Sequence, residues 1–543
     1  MDPVELNRWR HVLDNPKIML IALFASFGGF EYGYQQGVLG QSLVMYRFKD
    51  NFPSVIESSS ATGWLTSVLQ LGGIVGSLSA GILGEIFSRK YTMFMACCWV
   101  VLGSYLYVGA TYHNPALLYA ARFFTGVGVG TFSGVGPLYN AELASSELRG
   151  FLVSFYQFAT ILGIMLSFWC GYGSNNIGGT EETQSNLAWQ LPSIIQGIPA
   201  AILMLGIWWL PFSPRWLVKK GRDEEAQKTL AYLRKLPIDH PLVDVEYKEI
   251  KAETLFEQRA FAKAFPHLAE REKQSIIMRE LAQYWHILRK WDAFKRVATA
   301  WLVMFFQQWS GIDAIIYYAS NVFEDLGLTG GTTALLATGV TGVVFFVSTL
   351  PAMLIIDKVG RKPLLIAGSI AIFFGIFMVI PAIIVAKFRH DWPSHAAGGW
   401  TAVVSIWLYT GSFGATWGPV SWTLVSEIFP LSIRSKGAAF GASSNWMFEA
   451  WAWGTYIFFA VFLAAGIVWV WFCLPETKGA TLEEMDRVFG SRTGEEDAIM
   501  LAQARADVGL DHSTEEMAEK AALEGEHEHV GSHSRRAGSV AKA

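Results

Sequence analysis

Apolar runs of membrane-spanning length recur along almost the whole chain. A helix needs about 20 mostly apolar residues to cross a bilayer. Such runs fall at 18–43, 62–84, 92–111, 116–138, 150–172 and 190–211. After a charged interval they resume at 297–320, 331–356, 363–386 and 400–425, and a last apolar region covers 437–474. Composition agrees, since only 16% of the 543 residues are charged, against about a quarter in soluble domains. The reading is an all-α membrane protein. Cys97, Cys98, Cys170 and Cys473 all lie inside apolar runs and read as small buried hydrophobes, not as disulfides or metal ligands. Residues 1–17 are polar and charged, so no cleavable leader is expected.

Lys and Arg in the short loops set the orientation. Arg89, Lys90, Arg149, Lys358, Arg361, Lys362, Arg434 and Lys436 alternate to the side that holds residues 1–17 and the charged interval 212–296. The opposite loops near 112–116, 173–188 and 324–331 have none, with Arg47, Lys49, Lys387 and Arg389 as minor exceptions. Both termini are therefore expected in the cytoplasm, which requires an even number of spans. The interval 212–296 reads as a cytoplasmic loop of short amphipathic helices, with EEAQKTLAYLRKL as one of them. The tail 475–543 is rich in Glu, Ala, His and Ser and is expected to be largely disordered beyond Arg492.

Two segments occur twice. GILGEIFSRK (81–90) is echoed by LIIDKVGRKP (354–363), each with an acid four residues before an arginine: Glu85 with Arg89, and Asp357 with Arg361. PLYNAELASSELRG (137–150) is echoed by PVSWTLVSEIFPLSIRSKG (419–437), each with Glu and Arg seven apart: Glu142 with Arg149, and Glu427 with Arg434. In each half the first element closes the second span and the other joins the fourth to the fifth. The chain thus reads as two homologous six-span halves, 18–211 and 297–474, a known plan for secondary transporters with the substrate between them. The region 434–474 has room for two crossings only with a very tight turn. Either the eleventh helix is short, or residues are missing near 446–455.

With GGFEYGYQQGVLG, GEIFSRK, ARFFTGVGVG, PLYNAELASSELRG, QQWSGIDAIIYY, DKVGRK, WGPVSWTLVSEIFP, SNWMFE and PETKGATLEE in order at the span boundaries, the chain resembles the sugar-porter family of the major facilitator superfamily over roughly 20–490. That resemblance implies twelve helices, alternating access and a monosaccharide or polyol bound mid-membrane. The chain departs from the family's first cytoplasmic motif, with Glu85 for a usual Asp, Ile86 for a usual Arg and Ser88 for a usual Gly. The acid–arginine elements read as a cytoplasmic gate, Glu85 and Asp357 pairing with cations such as Arg149 and Arg434 across neighbouring loops. Positive-inside anchoring alone would not need the acids.

Polar side chains inside spans are the substrate candidates: Gln157, Gln307, Gln308, Asp313, Trp422, Asn445 and Glu449. Amides can both donate to and accept from sugar hydroxyls, and an aromatic plane packs on the C–H face of the ring. By resemblance, Gln157, Gln307, Gln308, Trp422 and Asn445 match sugar-contacting positions. A lone membrane Gln is also common as interhelical glue, a reading that weighs most at Asn445. Asp313 and Glu449 replace usual Asn residues. Ionised carboxylates only accept hydrogen bonds and repel an anion, which favours a neutral sugar or polyol.

Arg122 is a charge within span four and needs a functional account. In proton-coupled members of the family it resembles, an Asp of span one pairs with this Arg. Here that position is Gln35, which does not titrate, and Glu31 lies one turn earlier. Two readings stay open: Glu31 supplies the proton-coupling carboxylate opposite Arg122, or it braces the N-terminal half of a uniporter. No phosphate loop, catalytic triad or helix-borne metal motif occurs. Neither enzymatic activity, a cofactor, a resident metal nor a nucleic-acid partner is expected. The expected partners are a small sugar or polyol, protons for a symporter and the lipid bilayer, and the expected location is the plasma membrane, as a multi-pass integral protein. The competing function on the same fold is a non-transporting sugar sensor.

Overall fold

The computed structural model describes residues 16–110, 114–144, 149–179, 181–266, 291–325, 331–374, 396–427, 454–474 and 493–510, with scattered positions between 282 and 289. Among them every regular element is helical. The chain divides into two compact units: Leu20–Leu210 with Glu280–Ser491, and Met1–Met19 with Pro211–Arg279 and Arg492–Ala543.

The larger unit begins with α1 (Pro16–Ala25) and α2 (Phe27–Val44), followed by the short α3 (Tyr46–Asn51) and α4 (Pro53–Ile56). Then come α5 (Ser59–Phe87), α6 (Arg89–Val108), α7 (Ala116–Leu143), α8 (Arg149–Ser174) and α9 (Leu187–Gly206). Among the described residues, five helices are each long and apolar enough to cross a membrane alone: Ser60–Phe87, Arg89–Val108, Phe155–Ser174, Leu187–Trp209 and Thr333–Ala352. Their outward faces carry exposed apolar stripes at helical spacing, Leu71–Val75–Leu78 on α5 and Ile198–Ile202–Leu205 on α9. Such stripes face lipid, because water would penalise them.

Glycine lets these helices approach to backbone contact, the usual device where lipid gives no hydrophobic drive for helix pairing. Gly29, Gly33 and Gly37 recur every four residues on one face of α2, against Tyr156, Thr160 and Ser167 of α8. A Cβ on Gly33 would stand 1.7 Å from the Thr160 carbonyl oxygen. The α5–α7 crossing is reciprocal: Gly72 and Gly76 meet the backbone at 123 and 127, while Gly126 and Gly130 meet that at 69 and 73.

Further along, α10 (Pro214–Lys219), α11 (Asp223–Arg234) and α12 (Pro241–Ala264) belong to the smaller unit. They enclose a core of Trp216, Leu217, Ala226, Leu230, Val243 and Ile250. EEAQKTLAYLRKL is helical as read, whereas α12 is a 24-residue helix where short ones were expected.

The larger unit resumes with α13 (Trp291–Gln308), α14 (Ile312–Asp325), α15 (Gly331–Val359), α16 (Arg361–Phe374), α17 (Ala396–Ala415), α18 (Trp417–Glu427) and α19 (Gly454–Cys473). Spans read as continuous at 18–43, 297–320 and 400–425 are each two helices. The first breaks at Ser26, whose hydroxyl bonds back to the Ala22 carbonyl at 2.7 Å, a contact that bends helices. The second breaks at 309–311, where Gly311 takes φ +93°, and the third at Thr416. The region of the short eleventh helix lies outside the described residues.

One expectation fails in the tail. Thr493–Asp507 forms a helix, α20, where disorder was expected. Within the smaller unit it docks on α12 through Arg259–Asp507 and Lys263–Glu496, both 2.5 Å, and Arg505–Glu249 at 3.7 Å. Composition averaged over the tail hid this segment of helix formers (EEDAIMLAQARA) opposite a basic helix end.

Candidate functional site

Spans seven and ten bring the substrate candidates onto two broken helices. Gln307 lies in the last turn of α13 and is 3% exposed. Its Nε2 donates to the carbonyls of Trp417 (3.1 Å) and Gly418 (3.3 Å), in the first turn of α18. Its Oε1 is buried without a hydrogen-bond partner. Across the break, Ser310 Oγ donates to the Gln307 carbonyl at 2.6 Å, and Tyr409 Oη of α17 donates to the Ser310 carbonyl at 2.9 Å. The Ser310 carbonyl, between the two helices of span seven, is served by Tyr409, while the Gln307 carbonyl also takes the Ser310 N–H and the Trp417 carbonyl also takes Ser421 Oγ. Gln308 and Asp313 are half-buried on either side of this break, and Asp313 lies within electrostatic reach of the Tyr409 hydroxyl.

Trp422 stands half-buried on α18, four residues beyond Gly418. Five residues before it, Trp417 is fully buried and donates from Nε1 to Ser369 Oγ at 2.8 Å. Gln157 is half-buried on α8. It shares a helical face with Ile161, Ile164 and Phe168, at i+4, i+7 and i+11. Those three pack into one cluster with Val303, Ile312, Ile316 and Trp417. Gln157 thus faces the same half that carries Gln307. Asn445, Glu449 and Arg434 lie outside the described residues, as do the side chains of Arg149, Asp357 and Glu427.

Glu31 is fully buried on α2, and its Oε1 accepts from the Ala200 N–H of α9 at 3.1 Å. Pro199 precedes that N–H inside α9. Glu31 Oε2 is buried without a hydrogen-bond partner. Helix register sets Glu31 and Arg122 at different levels along the helices. Ser26 and Gly28 of α2 meet Asn140 and Phe132 of α7, which runs antiparallel. From there Arg122 lies ten residues along α7, about 15 Å, while Glu31 lies only three residues along α2, about 4.5 Å. Arg122 is buried beside Tyr107 of α6 instead. Gln35, 2% exposed, stands one turn nearer to its level.

Just beyond the end of α5, Arg89 is 4% exposed and gathers the two internally repeated segments of the N-terminal half. Its Nη2 meets Glu85 Oε1 at 2.8 Å, its Nε donates to Glu142 Oε1 at 3.0 Å, and its Nη1 donates to the Gly84 carbonyl at 3.0 Å. The acid and arginine four apart do pair, and Glu142 joins them within the same half. Arg361 repeats the backbone part, donating from Nη1 to the Ile356 carbonyl, again five residues back, at 3.3 Å. The turns between are also matched, Gly360 at φ +103° and Ser88 at φ +84°.

A polar seam between the halves went unassigned in the sequence reading. Gln41 Nε2 donates to Ser320 Oγ (3.2 Å), and Gln70 Nε2 to Tyr317 Oη (3.2 Å). Thr66 Oγ1 lies 3.0 Å from Tyr318 Oη, and Lys49 Nζ lies 3.8 Å from Glu324. All four join α14 to the α2–α5 segment. The available signal was the YY pair that ends QQWSGIDAIIYY, together with amides on spans one and two.

Comparison with known proteins places this arrangement. Residues 21–489 match the model of the sugar (and other) transporter family. Curated relatives include a probable quinate permease of Aspergillus niger, 33% identical over 93% of each chain. Another is a probable quinate permease of Aspergillus terreus, 32% identical over 93% of this chain and 92% of its own. Among solved structures, the partially occluded inward open form of the xylose transporter XylE from E. coli aligns with TM-score 0.67 at 25% identity, covering 86% of this chain and 99% of that one. The proton:xylose symporter XylE bound to 6-bromo-6-deoxy-D-glucose also gives 0.67, at 26% identity over 87% and 99%. With family model, relatives, fold and internal repeat in agreement, the chain belongs to the sugar-transporter family of the major facilitator superfamily, as a secondary transporter of a monosaccharide or related polyol.

Proposed function

We propose that substrate passes between the two six-span halves, and that the conformation described here is closed on the extracellular side. The seam that ties α14 to α2 and α5 carries this reading. It lies at the end of spans one, two and seven opposite the arginine-bearing loops, whose Lys and Arg favour the cytoplasmic face. Both termini and the helical loop 212–296 lie in the cytoplasm on this reading, and the protein works in the plasma membrane. Gln157, Gln307, Gln308, Asp313 and Trp422, with Asn445 and Glu449, form the substrate site. The Arg89–Glu85–Glu142 cluster and its counterpart at Asp357, Arg361, Glu427 and Arg434, with Arg149, hold the cytoplasmic ends.

A neutral ring bearing several hydroxyls is the substrate, because Asp313 beside the Gln pair repels an anion. The competing reading is an acidic polyol, favoured by relatives that are named quinate permeases. Uptake of labelled D-xylose, D-glucose, myo-inositol and quinate by carrier-null cells decides. Quinate uptake exceeding that of every neutral compound overturns the neutral reading, and binding without flux for all four overturns transport. Proton coupling is assigned to Glu31, the most buried acidic side chain among the described residues.

A further inference from the structure

Span six carries a proline where the carboxylate of span one meets it. Pro199 lies inside α9. It has no N–H, so the Ile195 carbonyl has no i+4 donor, and its ring crowds the preceding turn. The next N–H along, that of Ala200, is the one that Glu31 Oε1 takes at 3.1 Å. The neighbouring turns of α9 are pinned. Gln196 Nε2 donates to Ser104 Oγ of α6 at 2.6 Å, and a Cβ on Gly206 would stand 2.0 Å from the Phe24 ring of α1. Glu31 itself is 0% exposed, and its Oε2 has no hydrogen-bond partner. A carboxylate oxygen this deep calls for a second bond or for a proton. The titratable groups nearest to it are Tyr34 on its own helix and Cys97 of α6, with Cys170 of α8 beside Tyr34. Tyr156 of α8 packs on Gly29, and α14 meets α2 nine residues beyond Glu31, at Gly40. On α7 the charge is Arg122, at another level, and α9 has no titratable side chain.

A proton on Oε2 answers both needs. It neutralises the carboxylate and turns Oε2 from an acceptor into a donor. The acceptor for that donor is on the same stretch of α9: the Ile195 carbonyl, which Pro199 leaves without its helical partner. We propose that Glu31 is a proton-operated clasp on span six. Ionised, it holds the Pro199 turn by the Ala200 N–H alone. Protonated, it keeps that bond and also donates to the Ile195 carbonyl, closing the turn from both sides. Span six then senses the proton through its own backbone, and Glu31 acts as its positioning residue. The clasp rests on the assignment of proton coupling to Glu31 made above.

Hydrogen–deuterium exchange of the full chain in nanodiscs, followed from pH 5 to 9 and corrected for the intrinsic pH dependence of exchange, tests the clasp. Wild type should show a step in peptides from 194–206, about five-fold slower on the acid side, the equivalent of one added hydrogen bond. Glu31→Gln, whose amide both donates and accepts as the protonated acid does, should hold the slow level at every pH. Pro199→Ala restores the N–H that serves Ile195, so the step should vanish although Glu31 is still present. A peptide from 67–78 is expected to be unchanged in both variants, which reports intact folding. Infrared difference spectra give a second readout. The carboxylic C=O band that appears on acidification and is lost in Glu31→Gln should move to higher frequency in Pro199→Ala, where the acid loses its acceptor. Absence of the step in wild type, a step that survives in either variant, or an unshifted band in Pro199→Ala overturns the clasp. Proteoliposome uptake separates the two claims: flux of D-xylose or quinate without proton movement in wild type, with the Glu31-dependent step intact, refutes proton coupling and leaves the clasp standing.

Discussion

Ser88 offers a test in which a substitution should stabilise the protein. It occupies φ +84°, ψ 156°, and is fully buried between α5 and α6. That region of backbone space is essentially reserved for glycine, and another residue there costs about 1–3 kcal/mol. Against this stands the side-chain cap, which accepts from the Tyr91 N–H at 3.4 Å, a long bond. Ser→Gly at a helix N-cap loses only a few tenths of a kcal/mol. The greater freedom of Gly in the unfolded chain costs roughly 0.4–1 kcal/mol. The balance is a gain of about 1 kcal/mol for Ser88→Gly. The internal repeat supplies the reciprocal change: Gly360, at φ +103°, is the matched position, and Gly360→Ser should lose about 1 kcal/mol by the same balance of strain against unfolded-chain freedom. Unfolding midpoints of detergent-purified fluorescent fusions, read by size-exclusion chromatography after heating, should move in opposite directions. A midpoint for Ser88→Gly at or below wild type, or a Gly360→Ser variant as stable as wild type, refutes the strain argument.

Other expectations follow from the same geometry. Glu31→Gln should abolish substrate-driven alkalinisation of the medium while leaving substrate counterflow measurable; wild-type uptake of substrate with no proton movement would end the coupling proposal. Gly33→Ala should prevent recovery of folded protein, because its Cβ would stand 1.7 Å from the Thr160 oxygen. Gly63→Ala, with nothing within 4 Å, should be neutral or gain up to about 1 kcal/mol from helix propensity, and equal yields of the two would contradict the packing account. Docking of α20 on α12 is supported by exposed ion pairs worth about 0–1 kcal/mol each, beside the buried Ala504. Exchange in 493–507 should therefore quicken as sodium chloride rises from 0.05 to 0.5 M, and Asp507→Arg should bring the same loss at low salt, with Arg259→Asp restoring protection.

Span positions, the repeat and the polar candidates were legible because each depends on local pattern: apolar run length, an acid four residues before an arginine, an amide pair in an apolar stretch. What escaped depends on backbone geometry or on distant partners. The run 297–320 gives no hydropathy sign that Gly311 turns the chain between Gln308 and Ile312. The Glu31–Arg122 pairing looked sound from spacing along α2, but axial register against α7 is fixed elsewhere, by Ser26 on Asn140 and Gly28 on Phe132. The α14 seam was hidden because its partners, such as Gln70 and Tyr317, lie 247 residues apart.

The glycine pattern and the helix breaks together say where this molecule can move. In the α5–α7 crossing each backbone stands at Cβ distance from the other, and neither helix can slide without collision. At the breaks of spans seven and ten, side-chain bonds worth about 0.5–1.5 kcal/mol net each supplement the short backbone turn bonds. Opening one such bond costs far less than separating two backbones packed through four glycines. Motion should therefore concentrate at 309–311 and 416–418, with the N-terminal crossings moving as a block. Exchange at 67–78 and 123–131 should be the slowest among the spans and insensitive to substrate, while exchange at 312–325 and 417–427 should be faster and should slow when a transported sugar or polyol is added. If substrate instead altered the α5–α7 peptides and left both broken helices unchanged, the N-terminal half would be the moving part, and the assignment of the hinge to the breaks would fail.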